Sequence, residues 1–165
     1  MRAAGAAMLT RVGIIGDTHG DRFAIAQCQA AVGQVEAWLH LGDYARDAEL
    51  LRAEGTEVFS VAGNCDYAGQ TERVVCLGGV RIFMAHGHRY GVNDSPARLV
   101  ARARELHCTV ALYGHTHVPL LDEGGDVLVL CPGSPSRPRG GSKRYMGLLV
   151  IREGTAEGEL VPLCD

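Results

Sequence analysis

Five short blocks of this sequence carry side chains of the kind that bind metal ions. They are Gly16-Asp17-Thr18-His19-Gly20, Gly42-Asp43, Gly63-Asn64-Cys65-Asp66, His86-Gly87-His88 and Gly114-His115-Thr116-His117. Carboxylate oxygen and imidazole nitrogen together suit Mn, Fe, Zn, Co or Ni. The blocks contribute only one cysteine, Cys65, which argues against a structural zinc site. On an extended segment, residues i and i+2 point to the same side. Asp17 with His19, and His115 with His117, would then each reach one centre. Two metals roughly 3.5–4 Å apart form a clamp for phosphoryl transfer. Such a clamp needs a shared ligand, and the isolated Asp43 at a strand end suits that place.

Each block follows a short apolar run, so the elements that must position it can be read as well. Val12–Gly16 reads as a buried first strand, and Ala37–Leu41, Glu57–Ala62, Val80–Ala85 and Thr109–Tyr113 as further apolar strands. Asp21 can cap a helix over about 23–32. Ala45, Ala48 and Leu51 repeat at helical spacing and predict a second helix. Ser95 suits an N-cap and Pro96 the first position of a third helix, whose apolar face is Leu99, Val100, Ala103 and Leu106. Arg73–Leu77, Val118–Leu121, Val127–Leu130, Gly147–Arg152 and Glu159–Leu163 complete the strands. Ligands of α/β sheets gather at the carboxyl ends of strands. Strands that share sheets would therefore bring the five blocks together.

Length and composition set the bounds. The 165 residues fit one domain, taken as residues 11–165 behind a short extension, 1–10. The net charge of −3 gives no global basic field for gripping nucleic acid, which leaves a nucleic-acid end only as substrate. Six cysteines follow no disulfide or zinc-ribbon spacing and point to a reducing, cytoplasmic setting. No stretch is long enough to span a membrane. Oligomeric state is left open.

The ordered blocks resemble the calcineurin-like metallophosphoesterase superfamily, whose pattern is D-x-H, G-D, G-N-x-[DE], H and G-H-x-H. Pro132-Gly133-Ser134 further resembles its small single-domain phosphodiesterase branch. The resemblance implies an α/β (α+β) fold, with two packed mixed β-sheets flanked by helices in a four-layer sandwich. It implies that Asp17, His19 and His117 hold one divalent metal, that Asn64, His86 and His115 hold another, and that Asp43 bridges them. It implies Mn as the first candidate ion, with Fe, Zn, Co or Ni as alternatives, and a hydroxide between the metals as nucleophile. Many members carry His after the Asn and use it to protonate the leaving group. Cys65 stands there instead, a weak donor, which tilts the expectation toward diesters with good leaving groups.

The catalytic set on this reading is Asp43, Asn64 and His88, with His88 as acid or substrate contact. The substrate-binding set is Cys65, Arg137 and Arg139, the last two in a basic loop with Lys143 and Arg144. Substrates would be small phosphodiesters or nucleotides. The rivals are a nucleotide or nucleoside-polyphosphate phosphohydrolase and a non-catalytic protein-interaction scaffold on the same fold. His40, inside a strand, reads as a satisfied core histidine. Asp66 reads equally as a turn residue and as support for its neighbours.

Overall fold

The computed structural model describes residues 8–165. Ten strands form two five-stranded sheets. In chain order the elements are β1 (Leu9–Ile15), α1 (Arg22–Val32), β2 (Ala37–His40), a 3₁₀ helix (Ala45–Leu51), β3 (Glu57–Ser60), β4 (Glu72–Leu77) and β5 (Val80–Ala85). They continue as α2 (Ala97–Glu105), β6 (Val110–Leu112), β7 (Pro119–Asp122), β8 (Leu128–Pro132), β9 (Tyr145–Arg152) and β10 (Thr155–Pro162). One sheet has the order β10-β9-β1-β2-β3 and the other β4-β5-β6-β8-β7. Both are mixed: β1, β2 and β3 run parallel, as do β5, β6 and β8, and the outer strands pair antiparallel.

Alternation along the strands explains the layering. Val12 and Ile14, Ala37 and Leu39, Ile82 and Met84, Val110 and Leu112, and Leu128 and Leu130 turn inward to one core between the sheets. The intervening residues face outward, and most are also apolar. Ile15, Trp38 and Leu148 pack against Ile25, Cys28 and Val32 of α1 and Leu51 of the 3₁₀ helix. Phe83, Ala111 and Val129 pack against Leu99 and Ala103 of α2. Strands buried on both faces read as unbroken apolar runs, which is how the sequence shows them. The result is the expected four-layer α/β sandwich.

Local departures have physical causes. The second predicted helix is 3₁₀, a short piece entered through Tyr44 in the left-handed conformation. Helix α2 starts one residue later than expected: Pro96 takes the N-cap place, and Ser95 Oγ accepts from Ala97 N at 3.1 Å. Asp21 does cap α1, accepting from Ala24 N at 2.9 Å. Of the expected extension 1–10, residues 1–7 lie outside the described residues, and Leu9 and Thr10 already belong to β1.

His40 is the outward-facing end of β2 and is fully buried. Gly42 N donates to its Nδ1 at 3.2 Å, so the ring proton sits on Nε2, which faces Thr18 Oγ1 at 3.0 Å. Thr18 donates in turn to Asp47 at 2.6 Å, and Asp47 also takes Gly20 N at 2.8 Å. This chain joins the β1 loop, the β2 loop and the 3₁₀ helix. His40 is thus a satisfied core histidine that also supports two loops. Burial drives its pKa down to about 4 against the pull of Asp47.

That value fixes the sign of a pH effect. A folded pKa below the unfolded one, about 6.5, gives stability that is whole above pH 6.5 and is lost as pH falls toward 4. One such group contributes a slope of up to about 1.4 kcal/mol per pH unit. Urea unfolding of the metal-free protein between pH 7 and 4 should show this slope, and His40→Gln should flatten it while being less stable at pH 7. Parallel curves for the two proteins would remove His40 from the acid response.

Candidate metal centre

The parallel strands of each sheet end at one edge of the sandwich, and the five sequence blocks are the loops that leave them. Backbone bonds hold the loops against one another. Asp17 N donates to Gly42 O at 2.9 Å, and Gly114 N to His86 O at 2.9 Å. His115 N donates to Asp17 Oδ2 at 3.0 Å, which ties a loop of one sheet to a loop of the other. Glycine permits the approach. A Cβ at Gly63 would lie 2.2 Å from Asp43 Oδ1 and 2.6 Å from Asp43 N. A Cβ at Gly42 would lie 2.6 Å from Gly63 N.

The ligand-type residues are not on extended segments. Asp17, His19, Asp43, His115 and His117 all have φ between 50° and 71°. The i, i+2 argument for Asp-x-His and His-x-His therefore fails in its geometry, although the residues do converge. They converge through left-handed turns, which cost non-glycine residues roughly 1 kcal/mol or more each and concentrate at functional sites.

Asp17, His19, Asp43 and His117 each place one ligand atom so that all four lie within 4.8 Å of one another. His117 Nε2 is 3.4 Å from Asp17 Oδ1 and 3.5 Å from His19 Nε2. His86 lies across Asp43, its Nε2 3.4 Å from Asp43 Oδ2 and 3.8 Å from Asp17 Oδ1. His115 Nδ1 is 3.1 Å from Asn64 Oδ1, and its ring centroid is 5.2 Å from that of His86. The structure thus brings all seven residues to one place. Asp17, Asp43, His86 and His117 are buried, His19 and His115 are half-buried, and Asn64 is exposed.

The donors fit divalent cations. His86 Nδ1 donates to Leu41 O at 2.7 Å and His117 Nδ1 to Arg137 O at 2.6 Å. Both rings therefore turn a lone pair on Nε2 toward the carboxylates, the arrangement by which outer contacts fix a metal-binding tautomer. Asp17 Oδ1 and His86 Nε2 are buried with no hydrogen-bond partner. Buried polar atoms without partners are costly, and a cation between them would satisfy both. Burial opposes a charge on Asp43, yet His86 and the Cys65 N–H, 2.9 Å away, hold its carboxyl well below the usual range. Burial likewise opposes protonation of His86, but Asp43 and Asp17 outweigh it and raise its pKa. Burial lowers His19, helped by the nearby Arg137 charge, and lowers His115, helped by His86.

The other predicted residues divide. His88 is half-buried beside the centre, 5.4 Å from His86 and 6.1 Å from His115 between ring centroids, with its Nδ1 unpartnered. Cys65 is exposed; burial and then Asp43 raise its thiol pKa, so it stays protonated. Arg137 and Arg139 are exposed on the loop that receives His117, where Arg139 N donates to His117 O at 3.1 Å. Arg144 is a correction to the basic-loop reading. Its guanidinium binds Gln27 Oε1 at 2.6 Å and the carbonyls of Pro135 and Cys164, so it holds the C-terminal segment in place. Asp66 supports its neighbours, taking Ala45 N at 2.9 Å and Gly63 N at 2.8 Å.

Four further residues contribute beyond those expected from the sequence. Ser134 and Ser136 donate to Asp17 O at 2.8 and 3.1 Å and anchor the first loop from β8. Asn93 Nδ2 sits 3.3 Å from His115 Nε2. The tilted ring of Tyr44 lies 5.3 Å from that of His19. Only the Pro132-Gly133-Ser134 motif gave any signal of these.

Known proteins match this chain along most of its length. Residues 10–154 match the calcineurin-like phosphoesterase superfamily domain. A probable metallophosphoesterase of Methanocaldococcus jannaschii is 32% identical, covering 92% of this chain and 81% of the relative. Phosphodiesterase YfcE of Escherichia coli is 30% identical, covering 82% and 70%. A predicted phosphoesterase from Streptococcus pneumoniae superposes with a TM-score of 0.80 at 30% identity, covering 95% and 91%. Vacuolar protein sorting 29 from Cryptosporidium parvum shares the fold at 20% identity, with a TM-score of 0.73 and coverage of 95% and 99%. The chain belongs to the calcineurin-like phosphoesterase superfamily.

Proposed function

We propose that the chain from β1 onward, residues 9–165, forms one catalytic unit, a metal-dependent phosphodiesterase of the cytoplasm with a dinuclear centre. Asp17, His19 and His117 would hold one metal, Asn64, His86 and His115 the other, and Asp43 would serve both. The observation that carries this is the convergence of Asp17, His19, Asp43 and His117 within 4.8 Å, with His86 Nε2 3.4 Å from Asp43 Oδ2. Mn is the first choice of ion, with Fe, Zn, Co or Ni able to use the same donors. Diester chemistry is supported by the likeness to phosphodiesterase YfcE and by Cys65 at the position after Asn64. A scaffold without metal would leave the buried, unpartnered atoms of Asp17 and His86 unexplained.

A divalent metal held by these residues would supply Lewis acidity toward phosphoryl oxygens and would lower the pKa of water near it. The chain's own residues do the rest. Asp43 turns Oδ2 to the centre while Oδ1 is fixed by Cys65 N, which sets the angle at which it can serve two sides. The carbonyls of Leu41 and Arg137 keep His86 and His117 as acceptors toward the centre. Asn64 presents a neutral amide at the exposed edge, where substrate enters. Arg137 and Arg139 offer guanidinium groups to phosphate oxygens from the other rim. Burial, together with His86 and Arg89, lowers the pKa of His88, so it meets substrate as a neutral hydrogen-bonding contact.

Wild-type protein should bind two Mn per chain by calorimetry and hydrolyse bis(4-nitrophenyl) phosphate only with metal. Asp43→Asn should lose on the order of a hundredfold or more in that rate and weaken the metal binding. Full activity in Asp43→Asn, or no metal-stimulated turnover in wild type, would sink the proposal. His88→Ala should lower kcat/KM about tenfold on alkyl and 4-nitrophenyl diesters alike, the loss of a substrate hydrogen bond. A loss confined to alkyl diesters would assign His88 as the acid instead, and an unchanged rate would remove it from the site.

A further inference from the structure

Beside the centre, on the side of Asn64 and His88, lies a cleft between the loop after β3 and the loop after β5. Two hollows of about 520 and 430 Å³ make it up, and they share Thr71, His88 and Arg89. The larger reaches Asn64 and is rimmed by Tyr67, whose side chain is fully exposed. Two acids line the cleft, and both are engaged. Asp66 takes the N–H groups of Ala45 and Gly63. Glu72 accepts from the Tyr90 hydroxyl and pairs with Arg102 at 3.1 Å. Arg89 has its charge near Glu72, which it helps to keep ionised, and Glu72 is already paired with Arg102, so the cleft offers a cation beside an uncovered aromatic face.

We infer that this cleft is a subsite for a nucleotide unit, with Arg89 meeting its second phosphate and Tyr67 stacking on its base. This rests on the phosphodiesterase reading for its place in the reaction. The chemistry of the cleft itself is independent of it. Guanidinium groups bind phosphate through charge-assisted, often bidentate hydrogen bonds. A base on an aromatic ring adds stacking that tolerates any base identity. A hollow of several hundred Å³ suits a ligand of nucleotide size. Substrates carrying only one phosphate, such as bis(4-nitrophenyl) phosphate, cannot use Arg89 in this way, so the subsite distinguishes nucleotidyl diesters from simple aryl ones.

The test has a binding arm and a kinetic arm. Thymidine 3′,5′-bisphosphate is titrated into metal-free protein and followed by NMR, with Arg89→Gln, Arg89→Lys, Tyr67→Ala and Tyr67→Phe as variants. Arg89→Gln and Tyr67→Ala should each weaken binding at least about tenfold, with Tyr67→Phe near wild type and Arg89→Lys between. With Mn, Arg89→Gln should lower kcat/KM on a 5′-phosphorylated thymidine dinucleotide about tenfold more than on bis(4-nitrophenyl) phosphate. Equal affinity in wild type, Arg89→Gln and Tyr67→Ala, or no binding at millimolar ligand, overturns the subsite. Absence of turnover on both substrates overturns the phosphodiesterase reading alone, and the titration then still decides the cleft.

Discussion

Two carboxylates face imidazole nitrogens in a space almost closed to water, and the rest of the molecule serves that placement. Asp17 and His86 have no exposed surface. Ionised groups leave water at a cost of several kcal/mol each even after relaxation, and that cost is offset only by close partners. Within the chain the offset is incomplete, because Asp17 Oδ1 has no hydrogen bond and its nearest imidazole nitrogens are 3.4 and 3.8 Å away. Such a cluster is stable only if the surrounding structure leaves it no escape, or if a cation completes it. The fold supplies the first condition. Asp17 stands at the end of a strand bonded on both sides, and its backbone carbonyl is held by Ser134 and Ser136.

Confinement also shows in the backbone. At Asp17, His19, Asp43, His115 and His117 the chain takes the left-handed region, without glycine to ease it. Summed over five residues, the strain is several kcal/mol, comparable with a large part of a domain's net stability. Glycine stands elsewhere, at Gly42 and Gly63: a Cβ at Gly63 would strike Asp43, and one at Gly42 would strike Gly63 on a backbone already at φ 93°. The Gly-Asp and Gly-Asn pairs of the sequence are thus the trace of a packing demand one residue before the ligand.

Much of this was legible in the sequence. Apolar runs named the buried strands because both faces of β1, β2, β5, β6 and β8 pack, and a doubly buried strand leaves no polar interruption. The convergence of the seven residues was legible because their types and their glycine neighbours are rare in combination. What the sequence hid was conformation and long-range contact. The 3₁₀ form of residues 45–51 follows from the left-handed entry at Tyr44, which spacing of apolar residues cannot show. Ser134 and Ser136 are over a hundred residues from Asp17 in the chain, and serine has no distinctive pattern. Arg144 looked like its basic neighbours and differs from them only in meeting Gln27 and Cys164.

The same contrast separates metal chemistry from substrate choice. Ligands to a cation must be donors of a few types, held rigidly, so they leave a recognisable mark and lie on short loops from buried strands. The residues proposed to meet substrate have no such constraint. Tyr67, Arg89, Arg137 and Arg139 are all exposed on loops. Exposed tips can change residue without disturbing the sandwich. A fold of this kind can therefore keep one reaction at its buried edge while the rim sets which ester reaches it.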